Sequence, residues 1–598
     1  MTADPNIRRL PITVGITGHI DLDPTDGERA ERAILKLFAM IADRYPHSPL
    51  RLLSSLAEGA DRIAAKAFLA FREELHAKMP GIANSCELIV PLPLPATLFE
   101  DDFPHSVPEF RGLTSRAAYV FSVPFRHGHI LEDINSTGPA RDAQYQDASR
   151  YIASHCDILV AMWDGMDAGK TGGTSDMVRI RLLENDAASH AAPLVRPHAN
   201  PVFHITAGRA RLSVGTAATD IFAHPYYCTS PATALNLIEE FQPIDDFNRA
   251  VATFVSEERF QRQAGSAIGN RELAERVKSE MSFAQRTCLE LFATADALAV
   301  VFESRWRRTT YIIYGLGLAT ATILAVAVDG VLLPWSMLSY FIVLAVAALA
   351  YTFMRVARIE NRHIESRALA ELLRVQFAWL FSGIEDRAHL REIAGADESE
   401  LIAPVTGVLM GQHQGNLGWL IRALSGLLLH RSPENETVSV ADQRAVVGDW
   451  IAGQASYFRK SAHRAEQQAI RFGLTSSVFM FGGILAAFGS INMTLFHLDR
   501  FHEIDLEVLR HILIILSAAL PICSVIVENA SERFGVEAQA RIRARMHEVY
   551  ETSNKLLSDP RIRPETRDRV ILETGREAIS EAAMWLFLRK IKPVRMSM

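Results

Sequence analysis

A chain of 598 residues is long enough for several domains. Its formal net charge of −7 removes any general electrostatic case for binding a nucleic-acid polymer. Its five cysteines, Cys86, Cys156, Cys228, Cys288 and Cys523, show neither zinc nor disulfide-framework spacing and fit a reducing compartment; no metal or cofactor is expected.

The opening residues, "MTADPNIRRLPITVGITGHI", lack the apolar core of a signal peptide. They lead into an apolar strand, Ile12 to Ile16, that ends in Thr17-Gly18-His19. In open parallel sheets ligands sit beyond the carboxyl ends of strands. There Gly18 would let a phosphate or ribose approach the backbone and His19 would contact it; the plain alternative is an ordinary turn.

A second strand, Leu50 to Leu53, is followed by Ser54-Ser55 and Ala57-Glu58-Gly59-Ala60-Asp61-Arg62. Ser54 and Ser55 can donate to phosphate oxygens, and Gly59 permits close approach. Glu58 or Asp61 can accept from ribose hydroxyls, and Arg62 can offset phosphate charge. Helix capping and surface charge explain the same residues without a ligand. A third strand, Leu88 to Leu92, leaves through a proline-rich exit into Phe99-Glu100-Asp101-Asp102-Phe103. His127 and His129 read as solvated loop histidines, with no partner cluster for a metal.

The run Ile158 to Trp163 is continuously apolar, as a central parallel strand requires. It ends in Asp164-Gly165. Gly169-Lys170-Thr171 resembles the end of a P-loop, but the glycine needed five residues earlier is replaced by Asp164. Gly172-Gly173-Thr174 then precedes Ser175-Asp176 and an apolar-periodic segment, Met177 to Leu183, so a helix N-terminus able to bind an anion is expected there. A last strand, Val202 to Ile205, ends near Arg209.

Four long apolar stretches follow: Thr310 to Val328, Met337 to Met354, about Phe472 to Phe496 and about His511 to Val527. Each approaches the ~17–25 residues that span a bilayer. Arginines flank both pairs on their outer sides: Arg305, Arg307 and Arg308 with Arg355, Arg358 and Arg362, then Arg459, Lys460, Arg464 and Arg471 with Arg533, Arg541, Arg543 and Arg545. The positive-inside rule then predicts two hairpins with N-terminus, C-terminus and middle segment in the cytoplasm. The hairpin units read as a diverged internal repeat.

The order T-G-H, S-x-L-A-E-G-A-D-R, an apolar strand with L-P, W-D-G and G-G-T resembles the SLOG superfamily over about residues 10–210. That group is Rossmann-like and includes Lonely Guy-type phosphoribohydrolases, the DNA-processing protein A and the cytoplasmic N-terminal domains of melastatin-type TRP channels. Residues of about 285–590 resemble, more loosely, the SLATT-type membrane effectors found beside bacterial nucleotide second-messenger systems.

The resemblance implies an α/β Rossmann-like parallel-sheet domain at 1–230 and a helical juxtamembrane stalk at 231–309. Transmembrane hairpins at 310–354 and 472–528, a cytoplasmic helical segment at 355–471 and C-terminal cytoplasmic helices at 529–598 complete it. It implies a sensor in the inner membrane, a homo-oligomer, acting in bacterial stress or phage defence. The expected ligand is a nucleotide or nucleotide-derived molecule held by Thr17, Gly18, His19, Ser54, Ser55, Glu58, Gly59, Asp61, Arg62, Asp164, Gly165, Gly172, Gly173 and Thr174. Phosphoribohydrolases of the group carry P-G-G-x-G-T-x-x-E. This chain lacks the proline and the inserted pair, and only Asp176 stands near the glutamate position. Sensing is therefore expected over hydrolysis. The alternative is a membrane-tethered nucleotide hydrolase or N-glycosidase using Glu58, Asp61 or Asp176 as base.

Overall fold

Seven short apolar runs pair into one sheet in the computed structural model of the chain. It describes residues 8–125, 130–167, 169, 172–191, 200–210, 216–264, 273, 277, 279–328, 333–383, 418–425, 438–495 and 504–591. Lys170, Thr171, His127 and His129 lie outside the described residues. The strands are β1 (Ile12–Gly18), β2 (Leu50–Leu53), β3 (Glu87–Leu92), β4 (Tyr119–Ser122), β5 (Ile158–Trp163), β6 (Val202–Thr206) and β7 (Tyr227–Cys228). All pairings between them are parallel. Their order is β4-β3-β2-β1-β5-β6-β7. The chain thus builds outward from β1 to β4, returns to the centre, and builds outward again from β5 to β7. The reversal falls between β1 and β5, where Ile16 pairs with Val160 and Gly18 with Met162.

Helices cover both faces, and for that reason β1 and β5 are buried almost end to end and read as continuous apolar runs. Helix α1 (Pro24–Arg44) starts at Asp23, whose Oδ1 accepts the Thr25 N–H at 2.9 Å, with proline at the first position. Its Ile34, Leu37, Phe38 and Ile41 form the buried stripe. Helix α2 (Ala60–Lys78) meets α1 through Phe38 and Phe68, edge to face at 5.6 Å. Helices α3 (Pro139–His155) and α4 (Thr174–Ala191) flank β5 in sequence.

The chain divides into two compact units, Met1–Leu298 with Ala368–Val447, and Ala299–Arg367 with Gly448–Met598. The expected cytoplasmic segment 355–471 is thus divided between the two. In the first unit the short helix Gly418–Ser425 returns to the sheet: Arg422 Nη1 donates to Asp157 Oδ1 at 3.1 Å, and Trp419 lies 6.1 Å from Phe247.

In the second unit Trp306, Met354, Ile359, Ala530, Phe534 and Val536 form one apolar cluster. Two helix breaks sit in it. Arg358, at φ 51°, separates Leu333–Val356 from Ile359–Ser382, and Gly535, at φ 60°, separates Ile504–Phe534 from Val536–Leu557. Both breaks follow the second helix of an apolar pair, Gly535 directly and Arg358 after one intervening residue. Further along, Ser476 and Ser524 hydroxyls lie 2.9 Å apart, and Gly483 admits the ring of Pro521.

Among the described residues three segments are long and apolar enough to cross a bilayer: Met337–Ser382, Val440–Leu495 and Val508–Leu557. Only 6, 11 and 17 % of their apolar windows is buried within the protein, so they are not core helices of a water-soluble fold. The stretch Thr310–Val328 closes the helix Phe283–Val328, and several of its last side chains lie outside the described residues.

Candidate functional site

Four chain crossings meet at the carboxyl ends of β1, β2, β5 and β6. Thr17 and Gly18 are the last residues of β1. A Cβ on Gly18 would lie 2.4 Å from Ala60 Cβ and 2.5 Å from the Met162 carbonyl, so this glycine lets α2 start against the strand. That approach is made by the protein itself rather than left to a ligand.

His19 is 3 % exposed. Its backbone N–H donates to Met162 O at 3.0 Å and its carbonyl accepts from Ala60 at 3.1 Å. The ring Nε2 lies 2.9 Å from Asp164 Oδ1 and 3.1 Å from the Asp164 amide. Burial pushes the imidazole below its ordinary pKa, against the pull of Asp164. The Asp164 Oδ1 also takes the Met166 N–H at 3.0 Å, and Arg209 Nε stands 3.6 Å from its Oδ2. Arg209 reaches Asp21 at 3.5 Å. Backbone bonds from Asp23 to Gly208 and from Ala207 to Trp163 close the ring of loops. Gly165, at φ 79°, sits beside the Phe222 ring.

The β2 exit is held by the residues that follow it. Leu56 has φ 57° with its side chain fully buried, a strained placement for a non-glycine residue. Ser54 is buried and Ser55 donates to Pro91 O at 2.8 Å. Gly59 adopts φ 77°. The Arg62 Nε donates to Leu56 O at 3.0 Å, its Nη1 donates to Glu109 at 3.0 Å, and its guanidinium lies over Phe103. Glu58 accepts the Ser106 hydroxyl. Arg62 thus braces this loop through Nε and Nη1, while its buried Nη2 has no hydrogen-bond partner among the described residues.

Asp61 is buried against the same loop, and burial pushes its carboxyl up to about 7, opposed by hydrogen bonds from the Ala57 and Ser55 amides and the Ser54 hydroxyl. The folded chain thus holds this proton more tightly than the unfolded one, where the pKa is ~4. The stabilisation is complete below pH ~4 and is lost as pH rises through about 7. Thermal melts of wild type and Asp61→Asn from pH 4.5 to 8 are expected to converge or cross, the wild type losing ground as pH rises. Parallel curves contradict the assignment.

In the glycine turn the left-handed residue is Gly172, at φ 75°. The Gly172 amide donates to Asp176 Oδ2 at 2.8 Å, and Gln146 Nε2 reaches the same oxygen at 3.0 Å. Nearby, Asp167 accepts from Gly169 N and Ser175 Oγ, both at 2.9 Å, and pairs with Arg179 at 2.7 Å. The N-terminus of α4, where Thr174 begins the helix, thus already has two carboxylates of its own.

A comparison with known protein families and with characterised proteins gives no match.

The fold brings together Gly18, His19, Gly59 and Asp164, and separately Ser54, Glu58, Asp61 and Arg62 with Ser106 and Glu109. The Gly172 turn packs on α3, whose Tyr145 donates to Asp102 while Arg141 pairs with Asp102 at 2.8 Å. Ser106, Glu109, Arg141 and Tyr145 carried no signal in the sequence. Each meets its partner across 39 to 48 residues of chain.

Proposed function

We propose that this protein is a membrane-anchored sensor whose parallel α/β unit binds a nucleotide or nucleotide-derived molecule at the carboxyl ends of β1 and β5. The observation that carries this reading is the reversal of strand order between those two strands. Adjacent βα loops there leave in opposite directions and open the crevice in which doubly wound sheets hold their ligands. The residues at that point are Gly18-His19 on one side and Asp164-Gly165 on the other, as the resemblance to the SLOG group implies.

Two features support sensing over hydrolysis. Each carboxylate considered as a base already has an internal partner: Glu58 the Ser106 hydroxyl, Asp61 the amides of its own loop, Asp176 the Gly172 amide. Coupling to the apolar helices has a covalent route, because the unit boundaries at 298/299, 367/368 and 447/448 all fall inside helices: Phe283–Val328, Ile359–Ser382 and Val440–Leu495. The apolar segments supply the membrane part, read as four spans with both termini in the cytoplasm and assembled as a homo-oligomer. Its output is pore formation or perturbation of the bilayer.

The reading is tested by incubating the purified full-length protein with a panel of nucleotides, cyclic nucleotides and ADP-ribose-like molecules. Saturable binding with intact ligand recovered is expected. His19→Ala and Asp164→Ala are each expected to weaken it at least ten-fold. Steady consumption of the bound molecule assigns the unit to an enzyme, and no binding to any member removes the nucleotide.

A further inference from the structure

The helix Val440–Leu495 carries one stripe that changes character along its length. Lys460, Arg464 and Arg471 are followed at helical spacing by Leu474, Phe481 and Leu485. At 100° per residue all six fall within about 100° of one another, on one face of the helix. The three apolar side chains are 62, 69 and 71 % exposed. The three cations are exposed too, and none has a hydrogen-bond or ion-pair partner among the described residues. Elsewhere in the same unit an exposed cation does find a partner: Arg545 pairs with Glu577 at 2.9 Å. On the stripe, Gln467 is neutral and engages His463.

The spacing along the axis matches a leaflet. Arg471 lies about 4–5 Å below Leu474, within the ~5–7 Å headgroup layer. Arg464 and Lys460 follow about 10 and 16 Å further on, where the attraction of an anionic surface fades with screening and grows as salt is lowered. A second copy of the chain is a poor occupant for this face, because two such stripes would set like charges against each other.

We propose that the stripe is a recognition surface for anionic phospholipid in the leaflet facing Lys460, Arg471 meeting headgroup phosphates and Arg464 and Lys460 adding longer-range attraction, while Leu474, Phe481 and Leu485 meet the acyl chains. This rests on reading Val440–Leu495 as a membrane-crossing helix. The test uses full-length protein in mixed micelles with fluorescent phosphatidylglycerol or phosphatidylcholine. Phosphatidylglycerol is expected to bind more tightly, with a preference that shrinks as salt is raised. A cation at an anionic surface is worth about five-fold and the gain falls off within a Debye length, so Arg471→Gln is expected to lose up to about five-fold of that preference and the triple Lys460→Gln, Arg464→Gln, Arg471→Gln variant more. The charge-retaining Lys460→Arg, Arg464→Lys, Arg471→Lys variant is expected to keep it, which separates charge from folding. Equal binding of the two lipids, or a preference unchanged in the triple variant, overturns the proposal. Competition by millimolar inorganic phosphate overturns it in favour of a free-anion site, and a changed oligomeric mass with unchanged lipid preference overturns it in favour of a protein interface. Failure of the wild type to enter liposomes of either lipid would instead sink the membrane reading beneath it.

Discussion

A valine at Gly59 is expected to unfold the parallel α/β unit. The residue sits at φ 77°, and a Cβ there would lie 2.3 Å from both the His19 and Ile20 carbonyl oxygens. Both obstacles are backbone. The His19 carbonyl cannot swing aside, since it accepts the Ala60 N–H that starts α2, while the His19 amide continues the β1–β5 ladder. A left-handed β-branched residue alone costs about 1–3 kcal/mol, and the clash adds to it. The sum is a large share of the ~5–15 kcal/mol that holds a domain together. Circular dichroism and limited proteolysis of the full-length variant should show loss of the N-terminal unit. Gly81→Ala is the matched control, because nothing lies within 4 Å of the added methyl and the backbone is helical there. A Gly59→Val protein that melts with the wild type would show that the loop is not built as described.

The second large effect is at the amino ends of the two central strands. Asp157 is buried, accepts the Thr13 N–H at 2.7 Å, and receives Arg422 at 3.1 Å. Arg422 is itself buried and lies 3.7 Å from Glu240. Replacing Asp157 by alanine takes the nearer carboxylate from a buried guanidinium and leaves the Thr13 amide short of its acceptor. Breaking one side of such a pair costs about 3–5 kcal/mol, whereas an apolar replacement of the pair is often close to neutral. Chemical denaturation is therefore expected to show Asp157→Ala as severely destabilised and Asp157→Leu with Arg422→Met as partly recovered. Additive losses in the double variant would mean that the two side chains do not act as a pair.

These contacts mark where the sequence was legible and where it was not. The strand Leu50–Leu53 was readable to the residue, and the buried run Ile158 to Trp163 likewise, because strands covered on both faces stay apolar at every position. Strand β1 runs past Ile16 because Thr17 and Gly18 still register with Ala161 and Met162. The short edge strands Tyr119–Ser122 and Tyr227–Cys228 went unread, being too brief to show a period. The apolar helices announced themselves by length. That Ala368–Val447 belongs with the sheet did not, since an amphipathic pattern gives a buried face but not the surface it meets. At the site, Thr17-Gly18-His19 and Asp164 could be picked out because both end apolar strands. Whether Asp61 or Arg62 faces a ligand or its own loop depends on where Ser54, Leu56 and Glu109 fall in space, and spacing along the chain does not encode that.

The central claim joins a ligand at the β1–β5 reversal to a response in the apolar helices, and one measurement addresses both. Full-length protein in dye-loaded liposomes is titrated with the nucleotide panel while hydrogen exchange is followed. A ligand at 100 times its Kd adds about 2.7 kcal/mol to the state that binds it, enough to shift a two-state assembly visibly. The account predicts slower exchange at Gly18–Asp21 and Asp164–Met166, dye release with the same midpoint, and recovery of intact ligand. Steady turnover of the ligand with dye release unchanged would contradict it.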